Sequence, residues 1–190
     1  YNNFSSDFIL PVYNPFSLTG IYISKKIGIT VIGFNTFNDS RICIYMNGVE
    51  GSSPTSRDCD IHDNTINNDI SFANLQIYAS NSIWCDKVRN AYIENNFFNR
   101  TIPISSAPVD FDKMMRALNI KQSNDLKIFS NTITNFGTPM RFVSNCNSNK
   151  LQCNTMNQCF GGIYLDAASM TEQGAAGNPW DNSWTNYGNV

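Results

Sequence analysis

The stretch VIGFNTF, residues 31–37, carries the pattern that decides the fold of this chain. It places Asn35 three residues after the aliphatic Ile32 and two residues before the apolar Phe37. The same frame returns in DIHDNTI, YIENNFF, KIFSNTI and KLQCNTM, which begin at residues 60, 92, 127 and 150. The shared asparagines are therefore Asn35, Asn64, Asn96, Asn131 and Asn154.

These five asparagines are 29, 32, 35 and 23 residues apart. An irregular period of this length is typical of a coiled solenoid with loops inserted at its corners. Asparagine is also unusually frequent, at 28 of 190 residues, and stacked asparagines can hydrogen bond to one another. We therefore predict that the five asparagines stack at one corner and that the aliphatic residues three positions earlier form an inward column.

A second set of short segments precedes the asparagine segments and alternates with a period of two. The predicted inward pairs are Ile21/Ile23, Ile42/Ile44, Leu75/Ile77, Leu118/Ile120, Met140/Phe142 and Ile163/Leu165. The link from Leu118 to Ile128 is too short for a crossover helix, so the parallel strands must stack directly. The sequence predicts an all-β fold, a right-handed single-stranded parallel β-helix of about six to seven coils with inserted loops.

The chain is expected to form a single β-helix domain over residues 1–190, since 42% hydrophobic content can fill one continuous core. Residues 1–19 are predicted to form a partial first coil, residues 20–166 the regular coils and residues 167–190 a C-terminal tail or cap. The tail is expected to lie beside the final rung around residues 162–165 and to bury at least one tryptophan there. Because the chain starts at Tyr1, we expect a fragment of a larger protein.

The end of the chain carries more specific signals. They are CNTMNQC at residues 153–159, GIYL at residues 162–165, Gln173-Gly174, and Trp180, Asn182 and Trp184. The repeated frame resembles the pectate-lyase-like right-handed parallel β-helix superfamily over roughly residues 20–166. The tail is similar to that of large secreted bacterial cell-surface β-helix proteins. The resemblance implies a secreted or cell-surface solenoid, and it carries over no catalytic residue.

The catalytic signatures of that superfamily are absent from the sequence. The galacturonan hydrolase motifs NTD, DD, GHG and RIK do not occur, and Trp84-Cys85-Asp86 lacks the histidine of the lyase motif WxDH. An acid–base set for a divergent enzyme is still present on the outward side of the asparagine segments, in Asp60, His62, Glu94 and Lys127. The alternative is that these charges only keep an exposed sheet face soluble.

Aromatic residues of the other strand family predict a rival site. Tyr45 and Tyr78 follow inward isoleucines at equivalent outward positions, and Asn119, Lys121 and Arg141 occupy outward positions on later rungs. An aromatic pair beside amide and cationic donors suits a sugar ring, although tyrosine is also a common strand residue. Two predicted loops, residues 47–57 and 79–89, would wall this face.

The six cysteines are read as possible disulfides or as free core thiols. Cys43 and Cys59 bracket the first long loop, and the resemblance of the tail implies Cys153 and Cys159 as a second pair. Asp58, Asp60 and Asp63 could hold calcium, but alternation places Asp60 on the opposite face from the other two. No other cofactor or metal is expected.

The charge and hydropathy of the sequence limit the kinds of binding partner that we expect. Only 15% of residues are charged, the net charge is −2, and the 13 lysines and arginines are scattered along the chain, which argues against nucleic acid. No apolar run reaches the roughly 18 residues of a membrane span. We expect a secreted or cell-surface module that is structural or contacts a polysaccharide, joined to the rest of a larger parent chain. A divergent polysaccharide lyase or glycoside hydrolase and a tailspike-like adhesin are the alternatives.

Overall fold

The computed structural model describes residues 3–5, 19–38, 40, 42–68, 80–101, 115–170, 173–175, 178–179 and 181–185. Within these ranges the chain forms twenty short strands and no helix. Eighteen of the strands belong to three parallel sheets, which the chain visits in turn, one strand at a time.

Sheet 1 contains the longest strands. They are β2 (Thr19–Ser24), β5 (Ile42–Asn47), β8 (Asn81–Asp86), β11 (Arg116–Lys121), β14 (Thr138–Val143) and β17 (Ile163–Asp166). Sheet 2 contains β3 (Thr30–Gly33), β6 (Cys59–His62), β9 (Tyr92–Glu94), β12 (Lys127–Phe129) and β15 (Lys150–Gln152).

Sheet 3 follows the asparagine corner. Its strands are β1 (Asn3–Ser5), β4 (Thr36–Asn38), β7 (Thr65–Asn67), β10 (Phe97–Asn99), β13 (Thr132–Thr134), β16 (Thr155–Asn157) and β20 (Ser183–Thr185). Two further strands, β18 (Gly174–Ala175) and β19 (Asn178–Pro179), form an antiparallel pair. In each parallel sheet every strand pairs with its equivalent from the next coil, which confirms the predicted parallel β-helix.

The inward columns of sheets 2 and 3 are the ones that the repeated frame predicts. In sheet 2 the in-register column is Ile32, Ile61, Ile93, Ile128 and Leu151. In sheet 3 it is Phe37, Ile66, Phe98, Ile133 and Met156. All ten side chains are at most 5% exposed. Full burial of one such side chain stabilises a protein by about 1.5–3 kcal/mol, so these columns hold the coils together.

The five predicted asparagines form a continuous hydrogen-bonded ladder at the corner between sheets 2 and 3. The Nδ2 of each donates to the Oδ1 of the next, over 2.8–3.1 Å. From Asn64 onward, each Nδ2 also donates to a carbonyl oxygen of the preceding coil, as Asn64 does to Ile32. A sixth member, Asn182, accepts from Asn154. The repeated frame missed it because Pro179 replaces the aliphatic residue three positions earlier.

The residue before each predicted ladder asparagine adopts a left-handed backbone conformation. Its φ lies between 51° and 58° at Phe34, Asp63, Asn95, Ser130 and Cys153. The ladder asparagines themselves do not have a positive φ. Their recurrence therefore reflects side-chain stacking, and the sharp turn into sheet 3 is made one residue earlier.

The third rung of sheet 1 differs from the prediction. Strand β8, residues 81–86, lies between β5 and β11, although residues 79–89 were predicted to be a loop. The predicted segment Leu75–Tyr78 lies outside the described residues. The prediction failed because the alternation of Ile83 and Cys85 was not recognised as a strand. Cys85, which was considered as a disulfide partner or a free core thiol, is fully buried between Met46 and Ile120 of the neighbouring strands.

The described part of the C-terminal stretch adds a strand to sheet 3. Strand β20 pairs with β16, and Trp184 continues the inward column after Met156. Trp184 remains 40% exposed, because within the described chain it has a neighbouring strand on one side only. This residue is therefore not the buried tryptophan that was predicted, and Trp180 lies outside the described residues.

Candidate functional site

The outer face of sheet 1 carries an aromatic strip, which we define as Tyr22, Tyr45 and Trp84. These residues are register neighbours on β2, β5 and β8. The Tyr22 and Tyr45 ring centroids are 5.1 Å apart, and those of Tyr45 and Trp84 are 4.8 Å apart with ring planes 27° apart. The aromatic strip is therefore a stack whose members sit on successive coils.

Stacking changes what the aromatic strip can offer a ligand. Tyr45 and Trp84 turn their ring faces toward each other, so the facing sides are not open to a sugar ring. Tyr22 ends the stack among the described residues and is 52% exposed. Burial, with smaller contributions from Asp86 and Tyr22, raises the pKa of the Tyr45 hydroxyl. The predicted partner of Tyr45, Tyr78, lies outside the described residues, and Trp84 occupies the position next to Tyr45.

The three polar residues predicted for this face do lie on it. Asn119 is the register neighbour of both Trp84 and Arg141. Lys121 pairs with Asp86, with Nζ and Oδ2 3.5 Å apart. Arg141 pairs with the Asp166 carboxylate at 2.6 Å. Both predicted cations are therefore already engaged, which leaves Asn119 as the uncharged polar group beside the aromatic strip.

Four buried polar atoms of this face have no hydrogen-bond partner within the described chain. They are Trp84 Nε1 and Asp86 Oδ1 on β8, and Arg116 Nε and Asn119 Oδ1 on β11. We call these four residues the polar patch. Burial, with a smaller effect of Arg141, lowers the pKa of the Arg116 guanidinium to about 10. Native proteins pair most buried polar atoms, so this concentration on two adjacent strands is unusual.

Sequence reasoning missed three members of the polar patch. Trp84 and Asp86 fell in a predicted loop, and Arg116 lies two residues before the inward Leu118, so strict alternation assigned it to the core side and gave no reason to expect it in a site. The available signal was the segment NSIWCD at residues 81–86, in which Ile83 and Cys85 alternate with polar or aromatic residues.

The predicted acid–base residues lie together on the outer face of sheet 2. One outward column runs through Asp60, Tyr92 and Lys127, and the other runs through His62 and Glu94. Asp60 and Glu94 are 7% and 5% exposed, which is unusually deep for carboxylates on an outer sheet face. His62 is the register neighbour of Glu94, but its ring contacts other residues: its Nδ1 lies 2.9 Å from Asp63, and its ring meets Phe34 edge-on.

A loop covers these carboxylates. Arg57, in the loop of residues 51–58, donates from both terminal nitrogens to Glu94, one over 3.2 Å, and its Nη1 lies 4.0 Å from Asp60. The Arg57 guanidinium also lies 4.9 Å from the centre of the Tyr92 ring. Lys127 donates to the Tyr92 hydroxyl and to the carbonyl of Pro54 in the same loop. We call this arrangement the loop clamp.

The loop clamp perturbs one carboxyl group. Burial and the neighbouring Glu94 charge raise the pKa of Asp60, while His62 and Arg57 oppose this shift. A carboxyl with a raised pKa beside a second carboxyl group resembles a general acid and base pair. Here, however, the side of the pair that faces outward is filled by Arg57 rather than open to a substrate.

The cysteines predicted as disulfide candidates are free thiols, as are the other two. Cys153 occupies a left-handed corner position and is exposed, whereas Cys159 is buried in the core. Cys43 and Cys59 are both buried, on sheets 1 and 2. A disulfide needs both sulfurs to point toward each other, and the opposite exposures of Cys153 and Cys159 do not provide this.

The aspartates considered for calcium have separate surroundings. Asp58 accepts from Ser52, Asp60 faces Arg57, and Asp63 faces His62. In the ranges that the structure describes, no group of three or more His, Cys, Asp or Glu side chains is arranged to hold a metal ion.

Comparison with protein-family models, with curated proteins and with solved structures found no match to this chain. No helix of sufficient length and hydropathy to cross a membrane occurs in the described residues.

Proposed function

We propose that this protein is a secreted or cell-surface β-helix module that binds a glycan on the outer face of sheet 1. The observation that carries the proposal is the polar patch, four buried atoms without partners on the adjacent strands β8 and β11. Leaving such an atom unpaired costs about 1–3 kcal/mol. These atoms are buried in the isolated face, so a ligand would reach them only by displacing the side chains that cover them, and pairing them would then recover this free energy.

The chemistry of the polar patch suits sugar hydroxyl groups. Trp84 Nε1 and Arg116 Nε are hydrogen-bond donors, whereas Asp86 Oδ1 and Asn119 Oδ1 are acceptors. A hydroxyl group both donates and accepts, so neighbouring hydroxyls of a sugar can satisfy both kinds of atom. The exposed ring of Tyr22 adds an apolar surface two rungs away from β8 and three from β11, in addition to this directional recognition.

The resemblance to pectate-lyase-like and bacterial surface β-helix proteins supports an extracellular setting. The frame that carries this resemblance also forms the Asn ladder and the inward columns. We propose that the ladder keeps the three sheets rigid, so that sheet 1 presents its polar atoms at fixed spacings along the axis.

Glycan binding at this face can be tested with two conservative changes. Trp84→Phe keeps a stacking ring but removes the indole N–H, and Asn119→Ala removes one acceptor. We expect each to raise the Kd for a glycan that the native protein retains in affinity electrophoresis by about tenfold. Asn99→Ala, on the outer face of sheet 3, is the matched control. A native protein that retains no glycan of a broad panel, or variants with unchanged Kd, would exclude the proposal.

A second candidate is a glycan-cleaving enzyme that uses Asp60, His62, Glu94 and Lys127. The observation in its favour is the raised pKa of Asp60 beside Glu94. Arg57→Ala would open the loop clamp and give a substrate access to both carboxylates. If the protein is a binding module, neither the native protein nor this variant should release reducing or unsaturated ends from a glycan. Release that disappears on Glu94→Gln would identify an enzyme instead.

A further inference from the structure

Four cations without side-chain partners gather at one corner of the solenoid. Lys25 and Lys26 follow β2, and Lys87 and Arg89 follow β8, so all four belong to the corner between sheets 1 and 2. We call this the basic corner. Within the described part of the chain these four side chains form no ion pair or hydrogen bond. Outside the basic corner, five described cations do have side-chain or backbone partners, namely Arg57, Arg116, Lys121, Lys127 and Arg141.

The coil register creates the basic corner from residues that are distant in sequence. The backbone N–H of Lys25 donates to Asn47 over 2.8 Å, and that of Gly48 donates to Asp86 over 2.9 Å. Lys25, Gly48 and Lys87 therefore lie on three successive rungs. Parallel strands are about 4.8 Å apart, so the cation pairs after β2 and β8 are separated by about 10 Å along the axis.

A groove of about 510 Å³ lies along this corner. Its lining includes Gly48, Glu50, Lys87, Arg89, Gln122 and Asn145. Bridges between Glu50, Arg89 and Asn124 hold the backbones of three rungs together, so the groove has a rigid floor. Along the axis the groove offers first Glu50, then the cations Lys87 and Arg89, and then three uncharged amides, Gln122, Asn124 and Asn145. Lys25 and Lys26 lie one rung beyond Glu50, outside the groove lining.

We propose that the basic corner binds an acidic polysaccharide that runs along the solenoid axis. Its carboxylate or sulfate groups would contact the cation pairs, and its hydroxyl groups would contact Gln122 and Asn145. The spacing of the pairs selects a polymer with one negative charge per about 10 Å. This site is separate from the polar patch and does not depend on glycan binding there.

The same features argue against nucleic acid as the partner. DNA carries one charge per about 1.7 Å of duplex and about 3.4 Å per strand, far denser than the cation pairs of the corner. Glu50 lies between those pairs along the axis and would repel closely spaced phosphates. The groove lining contains no aromatic side chain on which a base could stack.

The experiment measures binding of the full chain to four probes at low and at physiological salt. They are keratan sulfate, which is sparsely sulfated, hyaluronan, which is carboxylated, dextran, which is uncharged, and single-stranded DNA. We expect at least one of the two acidic polysaccharides to bind more weakly as salt rises, and dextran and DNA to bind much less well. Comparing keratan sulfate with hyaluronan identifies which anionic group is recognised.

Substitutions in the groove test whether the polysaccharide binds at the basic corner. The double substitution Lys87→Gln and Arg89→Gln should raise the Kd for the bound acidic polysaccharide by about tenfold, because two contacts are lost. Glu50→Gln should lower the Kd, because it removes the carboxylate of the groove. Lys150→Gln, on the outer face of sheet 2, is the control and should leave the Kd unchanged.

Three results would overturn the proposal. They are no binding of either acidic polysaccharide, an unchanged Kd in the double variant, and tighter binding of DNA than of both polysaccharides. None of them affects the polar patch, which is tested through Trp84 and Asn119. Failure of one site is therefore distinguishable from failure of the other.

Discussion

Tyr45 and Trp84 stack with their ring centroids 4.8 Å apart, which is also the usual distance between neighbouring strands of a sheet. The backbone pairing of β5 and β8 places the two residues in register. The aromatic strip is therefore a product of the coil repeat and stabilises the same strands that position it.

Loss of the half-buried ring at one end of this stack should cost more than loss of the exposed ring at the other end. Trp84→Ala removes a half-buried indole that packs on Tyr45, and we expect it to lower the free energy of unfolding by about 2 kcal/mol. Tyr22→Ala removes a ring that is 52% exposed and should cost less than half as much. Urea denaturation of both variants checks the order; equal losses would contradict a cooperative stack.

The Asn ladder should be most sensitive at its centre. Asn96→Ala leaves both the backbone N–H and the Nδ2 of Asn64 without their shared acceptor and removes a donor to Asn131. We expect a loss of about 1–3 kcal/mol in the free energy of unfolding. Asn182→Ala, at the C-terminal end of the ladder, should cost less. The half-buried Asn99→Ala on sheet 3 controls for loss of an asparagine outside the ladder.

Asp60 should make the stability of the protein depend on pH. Its pKa is raised in the folded state, so the folded protein binds this proton more tightly than the unfolded chain does. Stability is then highest below the ordinary carboxyl pKa and falls as pH rises through the interval up to the raised pKa.

The substitution Asp60→Asn isolates this effect. The variant should gain stability relative to the native protein as pH rises from about 3 to about 7, with little difference at the acidic end. Unfolding measured across this range provides the test. A difference that does not change with pH would show that Asp60 titrates alike in both states.

The exposure of the six cysteine thiols predicts how many of them an alkylating reagent can label. In the folded protein only Cys153 is exposed, and the other five cysteines are buried. Burial raises the pKa of Cys59 to about 12 and that of Cys159 to about 11, and it also raises the pKa of Cys85, so little reactive thiolate forms. An alkylating reagent at neutral pH should modify one thiol when the chain is folded and all six after unfolding.

The contrary result is also informative. Fewer than six modified thiols after unfolding without a reductant would show that a disulfide forms in solution. Peptide mapping would then identify whether Cys153 is one of the joined residues, as the similarity of the tail to secreted proteins implies.

The ladder and two of the three sheets were predictable because their signal is local. An aliphatic residue three positions before an asparagine and an apolar residue two after it, as in Ile61 and Ile66 around Asn64, describe one turn of chain. Side-chain stacking repeats this turn in every coil, so a single frame recovers sheets 2 and 3.

Sheet 1 and the candidate sites were less predictable because their signals depend on neighbouring coils. The alternation of Ile83 and Cys85 was the only local sign of β8, and it indicates a core strand only together with Met46 and Ile120, which flank Cys85 on the neighbouring coils. Likewise, Arg57 contacts Glu94, and Lys25 lies near Lys87, because of the number of residues in the coils between them. No local pattern in the sequence shows these proximities. Composition alone represented the cations as scattered, whereas the winding of the chain brings four of them to one corner.

The left-handed residue before each ladder asparagine has a consequence for how such a chain can change length. The five coils with a predicted ladder asparagine all turn from sheet 2 into sheet 3 through the same local geometry, so they are equivalent units of the solenoid. Duplication or loss of an entire coil would keep all facing side chains matched. Insertion of one residue between Phe34 and Phe37 would instead turn an apolar side chain outward and disconnect the amides. Variation in size is therefore expected in steps of one coil, with single-residue changes confined to the loops.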